Sequence, residues 1–445
     1  MKILFMTILT GLLLGQSEDA TLTLYKDGTA LIKQPVGWSI PSGHSYVTWS
    51  SLPNGIHRDT PFLNLEGVTV ISQRFNDNVF TGTDYFKKLR GQEIQVKPKD
   101  GRTIKGNLLE ISSGTVTIVH SSKIISFNRT ELEYLGSNNE DMDMPTFNPY
   151  LSWDLHSNSE KIVKGELVYK SNNFSWATVY RLKMLNEEKG ELIAEAVISN
   201  SSDMSFETAS LQLVEGHLNK AKKVVRRSGR QMDAMAASPT GQDNMTRDEL
   251  GDYHIYSLNE THDLEARESI TIRMYGPLEV GYNKTYVFEN AERRQKEEPL
   301  EVRLTMENTE TNGLGISLPG GKVEMYSYTE SGGLEYIGAD NMGQVPKGQS
   351  STLVSGRAFD VIGKRRVLNY DRQRKSEEAV IEIQVINTRT EPVKIELVEH
   401  INGDWIIKHE SINYQKKDAS TIQFPFTLGA GETKYVTYTY RKEWK

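Results

Sequence analysis

The chain has 445 residues, of which 37% are hydrophobic and 25% are charged. This length suggests roughly three domains, and the composition excludes a wholly disordered or collagen-like chain. Cysteine is absent and the formal net charge is −7. These two facts exclude disulfide scaffolds, thiolate metal sites and thiol catalysis, and the basic excess expected of a nucleic-acid binder is missing.

Residues 1–15 have the pattern of a secretory signal peptide. One lysine precedes an apolar stretch of about a dozen residues and then small residues, which is too short for a comfortable membrane span. Cleavage after Gly15 or Ser17 fits this pattern, whereas the alternative is a buried N-terminal strand or helix. A secreted chain without cysteine indicates a bacterial envelope or periplasm. We therefore expect a periplasmic or secreted protein with no integral membrane span after cleavage.

Alternation of apolar and polar residues with period two dominates the chain, and helical periodicity is scarce. In the predicted N-terminal β domain, residues 16–84, the apolar residues Leu22 and Leu24 precede an Asp27-Gly28 turn and Ala30 and Ile32 follow it, which predicts a hairpin. The pattern predicts an all-β fold of tandem immunoglobulin-like β-sandwiches with an inserted small SH3-like or Sm-like barrel.

The barrel is predicted at residues 85–137, where five short strands fall within about 50 residues. The run GQEIQVKPKDGRTIKGNLLEI resembles the first half of an Sm-like or SH3-like barrel. RNA binding is common among cytosolic proteins of that shape, but the signal peptide and the acidic balance argue against it here. A structural barrel is the favoured interpretation.

The remaining boundaries follow from turns and composition. Residues 138–162 are predicted to be a linker that returns to the N-terminal β domain, 163–300 a central β-sandwich, and 301–445 a C-terminal β-sandwich. The basic and then polar stretch 219–252 predicts a mobile loop in the central sandwich. The charged stretch NAERRQKEEPLE at 290–301 is compatible with one helical turn or a solvated connector.

Catalytic, cofactor-binding and metal-binding residues are not predicted. GISLPGGK at 315–322 departs from a Walker loop because Lys322 comes one place late, so a β-turn is favoured. The histidines show no HxH or HExxH spacing, and no GxSxG elbow occurs. The oxygen-rich cluster at 138–143 lacks the glycine and terminal glutamate of an EF-hand, so an acidic linker is favoured over a calcium site.

Two basic stretches are candidate recognition patches. The run SGRAFDVIGKRR at 355–366 is compatible with a salt-bridged hairpin or a polar recognition patch, and NKAKKVVRRSGRQ lies in the predicted loop. The candidate residues in these two stretches are Arg357, Asp360, Arg365, Arg366, Lys222, Lys223, Arg226 and Arg227.

Several runs together resemble a family of bacterial proteins, the domain of unknown function numbered 4139, often labelled mucoidy-inhibitor-A-like. They are TLYKDGTALIKQPVGWSIPSGHSYVTWSSLP, FSWATVYRLKML, ISNSSDMSFETASLQLVEG, LGISLPGGKVEMYS and INGDWIIKHES. The resemblance spans about residues 20–445, with a departure at His217, where the family more often has an aspartate after the glycine. It implies secretion and a β-rich architecture, and the family has no established activity or catalytic residues to carry over.

The function expected from these observations is a bacterial envelope protein that acts as a non-enzymatic binding or structural module, with an envelope protein or a surface polysaccharide as partner and no nucleic acid. The alternative is a hydrolase or lyase of envelope polysaccharide, which would need paired carboxylates in a cleft. Exposed tryptophans could stack on sugars there, although core packing is the favoured role for aromatics in strands. The tryptophans are Trp38, Trp49, Trp153, Trp176, Trp405 and Trp444.

Overall fold

The computed structural model describes residues 20–77, 81–137, 149–216, 245–250, 253–329 and 331–444, with the backbone alone at 245–250. Strands account for 69% of the structure and helices for 3%, arranged in several sheets. The predicted all-β fold is thereby confirmed. The immunoglobulin-like and SH3-like details stay predictions. In the described part of the chain, no helix has the length and apolar character needed to cross a bilayer.

The predicted N-terminal hairpin is present, with Leu22 opposite Ile32 and Leu24 opposite Ala30. Its turn places Gly28 at φ 87°, a left-handed conformation that glycine adopts without steric cost. The first five strands are β1 (Thr21–Tyr25), β2 (Thr29–Ile40), β3 (Gly43–Trp49), β4 (Phe62–Leu65) and β5 (Thr69–Asn76).

A separate small unit follows, with one sheet of five antiparallel strands, the last of them at the edge beside the first, and an apolar core of its own. A short helix precedes the sheet, and the Thr81 side chain caps it by accepting a hydrogen bond from the Asp84 backbone N–H. The elements are α1 (Gly82–Lys88), β6 (Glu93–Pro98), β7 (Ile104–Ile111), β8 (Thr115–His120), β9 (Lys123–Asn128), a 3₁₀ turn (Arg129–Glu131) and β10 (Leu132–Ser137).

Residues 150–157, in the predicted linker, form a strand that pairs with β3 and β5 and so returns to the N-terminal strands. The predicted mobile loop 219–252 lies largely outside the described residues, but its stretch Met245–Leu250 is a strand paired with the strand Tyr253–Leu264. The strands of this part are β11 (Tyr150–Ser157), β12 (Lys161–Asn172), β13 (Phe174–Met184), β14 (Lys189–Asn200), β15 (Phe206–Glu215), β16 (Met245–Leu250), β17 (Tyr253–Leu264) and β18 (Glu268–Gly281).

One strand, Lys296–Glu307, runs across residue 300, where the boundary between the central and C-terminal sandwiches is predicted. The 355–366 run lies within one 23-residue strand, Ser350–Arg372. From Val361 onward this strand pairs antiparallel with the next one, Ser376–Asn387, across a short turn, so this part of the run is one arm of a hairpin. The elements are β19 (Asn283–Ala291), β20 (Lys296–Glu307), a 3₁₀ turn (Glu310–Asn312), β21 (Gly321–Tyr328), β22 (Leu334–Met342), β23 (Ser350–Arg372), β24 (Ser376–Asn387), β25 (Val393–His400), β26 (Trp405–Glu410), β27 (Gln415–Lys416), β28 (Thr421–Leu428) and β29 (Thr433–Glu443).

The largest core contains side chains of β20 and β23 (Leu304, Met306 and Leu353) and is formed mainly by three sheets. They are a seven-stranded sheet in the order β16-β17-β15-β1-β2-β12-β4, a three-stranded sheet in the order β3-β11-β5, and a five-stranded sheet in the order β18-β14-β13-β21-β22. Leu22, Trp153, Tyr180 and Met325 all belong to this core and are buried. The strands predicted as separate N-terminal and central units therefore pack against one another.

A nine-stranded sheet in the order β26-β29-β24-β23-β20-β19-β25-β28-β27 has its own core. The sheet curls over that core and brings its two edges together. The Trp405 indole N–H, at one edge, donates to the Ala419 carbonyl beside β28, near the other edge, over 2.9 Å. The Phe424 and Tyr438 rings pack 5.4 Å apart between the two ends of the strand order. Each strand contributes alternate residues to this interior, as the period of two requires.

We expect Gly363→Ala to destabilise the nine-stranded sheet by about 1–3 kcal/mol. A Cβ atom at Gly363 would lie 2.8 Å from the buried Phe288 ring, so the ring or the strand must shift. Urea unfolding followed by tryptophan fluorescence measures the loss. Gly343→Ala is the matched control, since a Cβ atom there meets nothing within 4 Å. Equal stability of the two variants would contradict the packing described.

Candidate functional site

A cleft of about 390 Å³ opens at one end of the nine-stranded sheet. We call it the sheet-end cleft. It is formed by the turn after β19, the β23–β24 turn, the β25–β26 loop and the end of β29. Its lining residues, most of them charged, are Glu292, Arg293, Arg372, Glu377, Asn402, Gly403, Asp404, Lys442, Glu443 and Trp444.

Strand alternation places a charged floor in the sheet-end cleft. On β29 the inward-facing series Val436, Tyr438 and Tyr440 continues to Lys442, which is 8% exposed. On β24 the inward series begins at Glu377, which is 6% exposed. The apolar interior ends where these two side chains begin, so the ammonium and the carboxylate close the core at this end of the sheet.

Lys442 binds two carboxylates at once. Its Nζ lies 3.5 Å from Glu377 Oε1 and contacts Glu292 Oε1 directly. The two carboxylates therefore approach within about 6 Å of each other, close to the separation of about 5–5.5 Å in retaining glycosidases. Here, however, a cation fills the space between them.

Tyrosine hydroxyls complete the environment of Glu377. Tyr370 donates to Glu377 Oε2 over 3.1 Å, and Tyr440 approaches Oε1 at 3.5 Å. Burial first, and the Glu377 and Glu292 carboxylates next, raise the pKa of Tyr440 above its ordinary value. Tyr440 therefore stays protonated and able to donate at neutral pH.

Glu292 is held as a carboxylate. Burial alone would raise its pKa, but hydrogen bonds from the Lys442 ammonium and the Asn402 backbone N–H outweigh that effect and lower the pKa below its ordinary value. The Asn402 N–H lies 2.8 Å from Glu292 Oε1. A general acid needs the opposite shift, so Glu292 is poorly suited to donate a proton.

Beneath the sheet-end cleft lies a fully buried ion pair. Arg365 Nη2 is 2.7 Å from Glu399 Oε2, and both side chains have 0% exposure. Tyr438 donates its hydroxyl to the same carboxylate. The Arg365 guanidinium also donates to the backbone carbonyls of Arg294, over 2.6 Å, and of Glu292. The buried arginine thus holds the turn after β19 that carries Glu292 and Arg293.

Two arginines at the mouth stack on aromatic rings. Arg293 lies 5.2 Å from the centroid of the Tyr370 ring and donates to the Tyr370 hydroxyl over 2.9 Å. Arg372 lies 5.9 Å from the Trp444 ring centroid. Stacking of this kind orients a guanidinium while leaving N–H groups available at its edge.

The structure separates the residues predicted as one patch on β23. Arg365 is buried in the ion pair just described. The exposed Arg357 contacts Glu298 over 2.9 Å, and Arg366 lies 3.9 Å from Glu382. Asp360 accepts from Thr388 at the neighbouring strand end.

Other predicted features fall elsewhere. The basic residues Lys222, Lys223, Arg226 and Arg227 lie outside the described residues, as does the oxygen-rich cluster at 138–143. The GISLPGGK stretch has no helix after it and leads into β21. Within the described ranges, no group of three or more histidine, aspartate or glutamate side chains is placed to hold a metal ion.

The sheet-end cleft is not predicted from the sequence pattern, although the sequence contains signals for it. The NAERRQKEEPLE stretch, for which the sequence predicts one helical turn or a solvated connector, forms the end of β19, the turn after it and the start of β20. The strict alternation of the final strand puts Lys442 on the face of Val436 and Tyr438, and that pattern marks an inward-facing cation.

Comparison of the chain with protein-family models finds no match, and comparison with curated proteins finds none. The family resemblance noted in the sequence therefore stays a prediction. Function has to be argued from the geometry and charge of the site itself.

We expect Glu399→Gln to lower the free energy of unfolding by about 3–5 kcal/mol, because it leaves the buried Arg365 charge without its partner. The matched control is Glu297→Gln, which removes an exposed ion pair with Lys364. Lys364 precedes Arg365 on β23, so both variants test a carboxylate that pairs with that strand. That control costs about 1 kcal/mol or less. Chemical denaturation measures both, and equal losses would show that the buried pair does not hold this part of the sheet.

Proposed function

We propose that this chain is a secreted or periplasmic bacterial envelope protein that works as a non-enzymatic binding module. Its binding site is the sheet-end cleft, and its partner is a surface polysaccharide or an envelope protein. The signal-peptide pattern of residues 1–15 and the missing cysteines support the location. A cleft of about 390 Å³ falls in the range of small-ligand sites, about 300–1,000 Å³.

The observation that carries the proposal is the shared contact of Lys442 with Glu292 and Glu377. Hydrolysis of a glycosidic bond needs one carboxyl group protonated and a second free to attack or to activate water. In the sheet-end cleft the Lys442 ammonium contacts both carboxylates, and the pKa of Glu292 is lowered below its ordinary value. A rigid, charged and preorganised surface of this kind suits binding.

The finer architecture is part of the proposal. The order β10-β6-β7-β8-β9, with α1 before it and a 3₁₀ turn before β10, supports an SH3-like or Sm-like small unit. The packed sheets of the first core support immunoglobulin-like sandwiches, with the family resemblance as further support. This architecture would serve as a scaffold that presents the cleft.

The second candidate function is a polysaccharide hydrolase or lyase. It is favoured by one observation, the close approach of Glu292 and Glu377 near Trp444, whose side chain is 37% exposed. For such chemistry Lys442 would have to leave its two carboxylates. The tyrosine and backbone donors around them would then still favour the ionised forms.

The proposal predicts that the purified chain binds isolated bacterial envelopes saturably and releases no new reducing ends. Trp444→Ala should weaken sedimentation with envelopes about tenfold, because it removes an aromatic wall of the cleft. Phe359→Ala is the matched control, an exposed aromatic of the same sheet outside the cleft lining. Protease treatment of the envelopes distinguishes a protein partner from a polysaccharide. Unchanged binding by Trp444→Ala would contradict the site, and accumulating reducing ends would contradict the non-enzymatic role.

A further inference from the structure

Five cations cluster at the sheet-end cleft, of which Arg293 and Arg372 line it and the other three lie beside them in the sequence. Two turns bring them together, the turn after β19 and the β23–β24 turn, which meet where Arg293 donates to Tyr370. Within the described ranges, none of the five side chains has a carboxylate oxygen within 4 Å, and all are exposed. We call this group the basic rim. Its members are Arg293, Arg294, Arg372, Arg374 and Lys375.

The basic rim gathers cations without a carboxylate contact on a chain whose formal net charge is −7. Other cations of the nine-stranded sheet have acidic partners, as Lys408 has Glu378 and Arg441 has Glu443. Like charges held close together by folded turns repel one another and cost stability. An anionic ligand would relieve that cost, and the arginine fork matches a carboxylate with two parallel hydrogen bonds.

The cleft also offers acceptors for hydroxyl groups. The exposed side chains of Asp404 and Asn402 stand at the mouth, on the β25–β26 loop. Of the other acidic lining residues, Glu292 and Glu377 share the single charge of Lys442, and Glu443 pairs with Arg441. A compact inorganic anion lacks the ring and the several hydroxyl groups that would reach Asp404, Asn402 and the basic rim together. A ligand with both hydroxyl and carboxylate groups satisfies both sides.

An aromatic surface lies between these two sets of groups. Trp444 is 37% exposed, and its indole N–H is fixed by the Arg374 carbonyl 3.0 Å away. A ring oriented in this way presents apolar surface to the C–H face of a sugar without leaving its own donor unsatisfied.

We infer that the sheet-end cleft binds an acidic polysaccharide, with a uronate carboxylate between Arg293 and Arg372, sugar hydroxyls on Asp404 and Asn402, and a sugar ring on Trp444. This inference rests on the proposed binding function and specifies its ligand class. The basic rim beyond the cleft, at Arg374 and Lys375, extends the electrostatic contact to neighbouring sugars of the same chain.

The test is calorimetric titration of the full chain with tetragalacturonate. Its methyl ester has the same rings with the carboxylates neutralised, and inorganic phosphate serves as a competing simple anion. We expect Arg293→Ala/Arg372→Ala to weaken tetragalacturonate binding at least about tenfold, since two charge-assisted contacts are lost. The matched control is Arg90→Ala/Arg102→Ala, which removes two exposed arginines of the small unit. It should bind within about twofold of the unchanged chain at the same salt concentration.

A third variant separates charge from geometry. Arg293→Lys/Arg372→Lys keeps both charges but loses the bidentate fork, so its affinity should fall between those of the unchanged chain and the double alanine variant. Both positions are exposed, so we expect all variants to fold. Circular dichroism and thermal unfolding check that they do.

Four outcomes would overturn the inference. They are equal affinity for the methyl ester, displacement of tetragalacturonate by phosphate at equal concentration, equal loss in the control double variant, and no binding of tetragalacturonate. Envelope binding that still depends on Trp444 would in those cases preserve the proposed function while excluding the acidic ligand. Loss of that dependence would instead remove the proposed function itself.

Discussion

The buried ion pair between Arg365 and Glu399 is the constraint on which the C-terminal half of the molecule depends. A charge without contact with water must be matched by an opposite charge and by hydrogen bonds, or the sheet around it is unstable. Here Glu399, the Tyr438 hydroxyl and two backbone carbonyls supply those contacts. The guanidinium thereby connects β23 to β25, β29 and the turn after β19 in one network.

That network extends from the buried ion pair to the surface of the sheet-end cleft. The turn held by Arg365 carries Glu292, which binds Lys442, which in turn contacts Glu377. Each member fixes the next, so the floor of the sheet-end cleft is preorganised before any ligand arrives. The same turn carries Arg293, and the stacking of Arg293 on Tyr370 extends the order to the rim. The contacts that satisfy the buried Arg365 charge therefore also fix the position of the charged residues in the sheet-end cleft.

Local patterns in the sequence predict the strands and the first hairpin well, because period-two alternation and an Asp-Gly turn act over a few residues. They fail where distant segments meet. The parallel pairing of β1 with β15 and the Lys442–Glu292 contact, 150 positions apart, leave no local trace.

Arg365 shows an intermediate case. The sequence pattern predicts it in a salt-bridged hairpin or a polar recognition patch, and in the structure Val361, Gly363 and Arg365 form one buried series along β23. The alternation therefore marks Arg365 as inward-facing. Burial of its charge, however, could be predicted only by knowing that Glu399 lies beside it. The charged residues of the sheet-end cleft can be read from the sequence. That they lie together depends on the curl of the sheet, which no local pattern predicts.

Hydrogen exchange of the full chain, with and without saturating tetragalacturonate, tests the central claim most directly, because it maps where the ligand binds without a substitution. The account predicts slower exchange at 291–295, 372–376 and 402–404, the three segments that border the sheet-end cleft, and unchanged exchange in the small unit at 81–137. Protection confined to the small unit or to the first core, with those three segments unchanged, would contradict it.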